Sequence, residues 1–334
     1  MATMNASIEP VLLLDRDTVA QLLTLKDCIP AVEAAFAAHA QGHALAPGLL
    51  HVDADRGEFH IKVGGLRGAR TYFAAKINGG FFNNRTDFGL PNIIGLILLC
   101  DGANGTPLAV LESGLVTRLR TGAATAVAAK YLARPDSRTV TLCGAGIQGE
   151  IQLRSLKEVL PIERAFIWSR SGGQSYARNM SEALGIDVRV AGDLGEATRV
   201  SDVVVTCTPS KQAFLGREHI RPGTFIAAVG SDSPDKQELQ PELLAHSSVV
   251  PDLLNQAAHV GDLHHAIAAG LMQPDQIRGE LGAVIIGKAP RRTREAEIII
   301  FDSTGTALQD AAAAAAVYEK ALSAGYDRRF KFWS

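Results

Sequence analysis

The chain has no apolar run near the roughly 18 residues a membrane-spanning helix needs. Its N-terminus lacks the basic region and apolar core of a secretory signal, so a cytoplasmic location away from membranes is expected. Neither charge sign is in excess: 33 basic residues face 35 acidic ones, which argues against a nucleic-acid or anionic-membrane partner. There are only four cysteines, Cys28, Cys100, Cys143 and Cys207, and no C-x-x-C pair. Cys143 and Cys207 end apolar runs and read as buried free thiols. Nine histidines include no H-E-x-x-H. His39 and His43 fall where a helix runs out at Gly42, and the side chains of His264 and His265 diverge on a helix, so no metal is expected at either pair. The basic, aromatic end Arg328–Ser334 reads as a tail packed on a neighbouring surface.

What is present begins at Arg138-Thr-Val-Thr-Leu-Cys-Gly-Ala-Gly-Ile-Gln-Gly149. A β-prone run ends at Gly144, Gly146 and Gly149 in G-x-G-x-x-G spacing, and a helical pattern follows. The first glycine permits a tight turn, the second lets backbone approach a pyrophosphate, and the third lets helix pack on strand. The helix N-terminus adds free N–H groups and partial positive charge for phosphates.

From residue 138 onward, β-branched runs alternate with helical periods. The runs are 139–143, 165–169, 188–191, 202–207, 224–229, 248–251 and 297–301; helices are expected over 148–160 and 175–184. This is the pattern of a Rossmann-type, doubly wound parallel sheet in an α/β protein. Residues 1 to about 120 read instead as an α+β domain. Two helices over 17–41 are expected to break near Pro30, followed by strands over 49–52, 58–62, 72–77 and 95–100. Gly64-Gly65, Asn78-Gly79-Gly80 and Asp101–Gly105 read as the turns between them. An Ala-rich helix over 308–324 can return to this domain. The expected division is residues 1–120 with about 308–334 as substrate and dimerisation domain, and 121–307 as the dinucleotide domain.

An acidic residue at the end of the second nucleotide-fold strand would bind the adenosine ribose of NAD. Here that strand ends Ile167-Trp-Ser169-Arg170-Ser171, with no carboxylate. Arg170 can pair with a 2′-phosphate and stack on adenine, and Ser169 and Ser171 can hydrogen-bond. NADP(H) is therefore favoured over NAD(H).

Further stretches match one family. In order they are Ala74-Ala-Lys76-Ile, Gly89-Leu-Pro91, Leu98–Asp101, Gly105–Ala109, Thr117-Arg-Leu-Arg120-Thr121–Ala124, Ala228–Leu239, Phe301–Gly305 and Gln309-Asp310. Together they resemble the ornithine cyclodeaminase/μ-crystallin family along nearly the whole chain. The resemblance implies a homodimer built by the N-terminal domain and last helix, a small amino or imino acid as substrate, and a nicotinamide facing Lys76, Arg120 and Asp232. Thr121, Ile147 and Gln148 join the glycines, Ser169, Arg170 and Ser171 as expected cofactor contacts.

Hydride transfer at an α-carbon needs a carboxylate anchor, control of the nitrogen's proton, and a nicotinamide close to the carbon. Arg120 suits the anchor, because a guanidinium fork grips a carboxylate in two parallel bonds. Lys76 lies in an otherwise apolar run, an unusual place for a cation without a task. It can touch the substrate or act as an acid–base group if burial lowers its pKa. Asp232 follows a strand at the sheet's carboxyl edge and can hold an amine or relay a proton, or else cap the next helix. The family's second arginine, shortly after a proline, is missing from Ala46-Pro-Gly-Leu-Leu50. Lys62 on the neighbouring strand is a substitute if it points inward with His60; otherwise it is an exposed lysine. The leading expectation is an NAD(P)-dependent oxidoreductase that reduces a cyclic α-imino acid such as Δ1-pyrroline-2-carboxylate. The alternatives are ornithine cyclodeaminase, alanine dehydrogenase, and a non-catalytic dinucleotide-dependent binding protein.

Overall fold

Residues 1–120 and 306–334 form one unit of the chain and residues 121–305 a second, in a computed structural model that describes residues 9–170 and 172–333. The first unit holds strands β1 (Val11–Leu14), β2 (Ala44–Ala54), β3 (Gly57–Leu66), β4 (Tyr72–Gly80), β5 (Ile93–Asp101) and β6 (Pro107–Glu112). A short C-terminal strand, Arg329–Phe330, pairs with β1, so part of the basic tail is an edge strand. The sheet order is C-terminal strand, β1, β6, β5, β4, β3, β2, and all pairs but β1–β6 are antiparallel. The Ala-rich helix Ala307–Ser323 packs on β3, β4 and the helix Leu25–Ala40. Its small side chains permit a close approach: a Cβ at Gly64 would stand 3.1 Å from Ala307 Cβ.

The strands of this unit run longer than expected. Gly64-Gly65 and Asn78–Gly80 lie inside β3 and β4, not in turns. A glycine within a strand marks a close approach, and at Gly95 in β5 a Cβ would fall 2.1 Å from the Ile77 carbonyl. The break expected near Pro30 falls earlier, between Arg16–Leu22 and Leu25–Ala40. Thr24 and Asp27 form a capping box there. Pro30 sits inside the second helix, and the hydrogen bond it forgoes is to the carbonyl of Lys26, an exposed residue open to water.

The second unit holds β7 (Thr139–Cys143), β8 (Arg164–Trp168), β9 (Asp187–Val190), β10 (Val203–Thr206), β11 (Phe225–Ala228), β12 (Ser248–Pro251) and β13 (Ile299–Asp302). Their order is β12-β13-β11-β10-β7-β8-β9, and every pair is parallel. This is a Rossmann-type α/β sheet. Residues of β10, β11, β12 and β13 such as Val204, Ile226, Val249 and Ile300 are buried in one core, as the continuous apolar runs require. The strand order reverses between β7 and β10, the place where doubly wound sheets take their ligands.

Candidate active site

The glycine loop follows β7. Gly144 has φ +125°, and an added Cβ would meet the Cys207 carbonyl at 3.0 Å. Gly146 precedes the helix Ile147–Val159, and nothing lies within 4 Å of where its Cβ would be. At Gly149 a Cβ would stand 2.3 Å from the Gly144 carbonyl. The three positions thus meet three separate demands: a left-handed turn, open space beside the backbone, and close packing of helix on loop. Two buried polar atoms beside them, Gln148 Oε1 and Ser169 Oγ, have no hydrogen-bond partner among the described residues. An open backbone cradle with orphaned polar atoms fits a dinucleotide.

Ile147 and Gln148 open the helix, Ser169 and Arg170 follow β8, and Thr121 is buried on the helix Ser113–Leu132. Arg170 is exposed, and Ser171 lies outside the described residues. Asp232 follows β11 at the same carboxyl edge of this sheet. Its Oδ1 accepts a hydrogen bond from Lys236 Nζ at 2.7 Å. A turn follows it and no helix begins there, which removes the capping role.

In the first unit, Lys62, Lys76 and Arg120 come together. Lys62 and Lys76 are directly opposite on β3 and β4, only 4% and 2% exposed. Such a like-charge cross-strand pair is unfavourable. Arg120, 5% exposed, reaches them from the helix Ser113–Leu132. Their shared counter-ion is Asp310 on Ala307–Ser323. Lys76 Nζ lies 2.8 and 2.7 Å from its two oxygens, and Arg120 Nε donates to Oδ1 at 3.0 Å. Arg120 Nη1 also donates to Gln309 Oε1 at 2.9 Å. Three basic side chains therefore surround one buried carboxylate. Burial, and then the charge of Arg120, pull the Lys76 ammonium down to about 7 despite Asp310. Burial works to raise the Asp310 carboxyl, but the surrounding charges, Lys76 and then Arg120, together outweigh it and hold Asp310 below its ordinary range.

Asp310 and Gln309 carried no role in the sequence reading. Their signal was a carboxamide and a carboxylate at the head of an otherwise alanine-rich helix, in the Gln309-Asp310 pair.

The model of the Ornithine cyclodeaminase/mu-crystallin family matches residues 9–325. The chain belongs to this family. An archaeal alanine dehydrogenase dimer with bound NAD is 36% identical, with TM-score 0.91, over 97% of this chain and 100% of the other. The Thermococcus litoralis Δ1-pyrroline-2-carboxylate reductase, solved with NADH and L-proline, is 33% identical with TM-score 0.90, over 94% and 98%. The Paracoccus denitrificans iminosuccinate reductase, solved with NAD+, is 33% identical with TM-score 0.88, over 97% and 100%.

Proposed function

We propose that the protein is an NAD(P)-dependent oxidoreductase that reduces the C=N bond of an α-imino acid, of which cyclic Δ1-pyrroline-2-carboxylate is the first candidate. The observation that carries this reading is the gathering of three buried basic side chains, Lys62, Lys76 and Arg120, around the carboxylate of Asp310. Clustered guanidinium and ammonium groups are the donors that grip a substrate carboxylate. Arg120 and Lys62 are its anchors. Lys76, poised near neutrality, is suited to giving or taking a proton at working pH. Asp232 is assigned the proton of the substrate nitrogen. When bound, the dinucleotide supplies a hydride from C4 of its nicotinamide to the imine carbon; Gly144, Gly146 and Gly149 with Ile147, Gln148, Ser169 and Thr121 would hold it.

The same basic cluster weighs against ornithine cyclodeaminase, because a second ammonium on the substrate would meet like charge. The solved relatives above carry NAD or NADH. In this chain Arg170, with no carboxylate at the end of β8, supports NADP(H). A homodimer is proposed through the outer face of β2–β5, where Leu50, Val52, Phe59, Ile77 and Leu96 are exposed.

The test is purified protein with NADPH or NADH and Δ1-pyrroline-2-carboxylate, followed by nicotinamide absorbance. Parallel reactions contain ornithine with NAD, or pyruvate with ammonium. Loss of absorbance with the cyclic imine alone is the expected result. Ammonia released from ornithine without net reduction would assign the lyase, turnover of pyruvate the dehydrogenase, and silence in all three a binding protein. Arg170→Ala should cut the NADPH-to-NADH preference roughly 10- to 100-fold, the worth of about 1.5–3 kcal/mol for a charged hydrogen bond.

A further inference from the structure

The hairpin of β2 and β3 turns through two residues, Asp55 and Arg56, and a two-residue loop fixes the register of its strands. That register sets His51 opposite His60 and Asp53 opposite Glu58. Alternate residues share a face, so these four side chains form a two-by-two block on one side of the hairpin. His51, Glu58 and His60 are half-buried, and one ligand atom from each lies within 4.8 Å of the others. The Glu58 carboxylate bridges the two imidazoles, 3.9 Å from His51 Nε2 and 3.7 Å from His60 Nε2. Asp53 Oδ1 lies 2.9 Å from His51 Nε2. Zinc bonds of about 2.0–2.1 Å in a tetrahedron separate ligand atoms by roughly 3.3 Å. The two carboxylate–imidazole spacings are already near this value, and modest side-chain rotation closes the third.

We propose that His51, Glu58 and His60 bind a divalent transition-metal ion of the zinc class, with Asp53 or water as fourth ligand. Two imidazoles with carboxylate suit zinc, nickel or copper and not calcium or magnesium. Neither histidine pair considered from the sequence belongs to this group, because its ligands are assembled across strands and not by helical spacing. β2 is the edge strand of its sheet, so the ion would clip that edge to β3. The site is independent of which reaction the enzyme performs.

The experiment uses untagged, full-length protein stripped with a chelator. Zinc is titrated by calorimetry, and cobalt(II) by visible absorption. The expected results are one zinc per chain, intense tetrahedral cobalt bands, and affinity at least about tenfold weaker in His60→Gln and Glu58→Gln. Circular dichroism of each variant checks its fold, and the cobalt spectrum of the parent protein reports the ligand set without any substitution. A parent protein that binds no zinc in the micromolar range, a cobalt spectrum without tetrahedral bands, or variants that bind as tightly as the parent would each overturn the proposal.

Discussion

Both units bury charge, but they satisfy it in opposite ways. In the second unit Glu238, Asp252, Asp262 and Asp302 are fully buried acids, and much of what they accept comes from backbone. Glu238 accepts from the N–H groups of Thr208 and Gly230, Asp262 from Glu238 and Leu239, Asp302 from Leu263, and Asp252 from Leu253 and Gly305. Each carboxylate ties one loop at the sheet's carboxyl edge to the next. Such acids are architecture: most of their partners are fixed by the chain, and Asp262 Oδ2 alone of their oxygens is buried with no hydrogen-bond partner among the described residues. In the first unit Lys62, Lys76 and Arg120 gather around one buried acid, Asp310, and Lys76 and Arg120 meet it side chain to side chain. Acids met by backbone hold loops in place, whereas basic side chains gathered from two strands and a helix suit an anion.

The strongest way to break this contrast is to remove Asp310, the acid at the centre of the first unit's cluster. Asp310→Ala leaves Lys76 and Arg120 buried without their partner. Removal of one side of a buried ion pair costs about 3–5 kcal/mol, so chemical denaturation should show that loss. If the stability held, the cations would already be adequately compensated and the argument for a substrate anion would fall.

Lys76→Met should do the reverse. It removes a cation that burial already disfavours, so the melting temperature should stay level or rise. Activity should drop by about 10²- to 10⁴-fold in kcat, the usual contribution of a general acid or base. A variant that lost stability and kept turnover would make Lys76 architectural, like the acids of the second unit.

Glu238→Gln probes the other side with a smaller effect. An amide can present only one oxygen, so its NH2 would confront either the Thr208 or the Gly230 N–H group. One unsatisfied buried donor costs about 1–3 kcal/mol, read as a fall of roughly 2–4 °C per kcal/mol for a unit of this size.

Sequence reasoning reached the parts of this picture that are local. Gly144, Gly146 and Gly149 act within one turn, and β7 to β13 announce themselves as continuous apolar runs, so cradle and parallel sheet were both visible. Lys76 stands out as a cation in an apolar strand and Lys62 only as a substitute for a missing arginine, and nothing in the sequence shows that they face each other. Asp310 stands in the sequence only as part of a motif, because its partners Lys76 and Arg120 lie 234 and 190 positions away. The first unit's strands were cut short for a physical reason: glycines such as Gly64 serve close helix packing, which composition cannot distinguish from a turn. The chain of buried acids was missed because an Asp or Glu that accepts backbone N–H groups has the same sequence signature as one facing water.

The smallest expected effect concerns protons, and here the two units should differ in sign. Burial foremost lifts the Glu238 carboxyl to about 7 and that of Asp262 to about 6. The folded protein then keeps protons that the unfolded chain gives up, so the stability these groups contribute at acid pH is lost as pH rises toward 7. Lys76 is depressed, to about 7 from 10.5. Between those values the unfolded chain holds a proton the folded one has released, so this lysine makes stability rise with pH. Lys76→Met should abolish the alkaline rise and leave the acid-side fall intact. A bound carboxylate would raise the pKa of Lys76 again, so binding of L-proline with oxidised cofactor near pH 8 should take up a fraction of a proton. Calorimetry in two buffers of different ionisation enthalpy measures that fraction, and uptake that survives Lys76→Met would come from another group and take the proton role from Lys76.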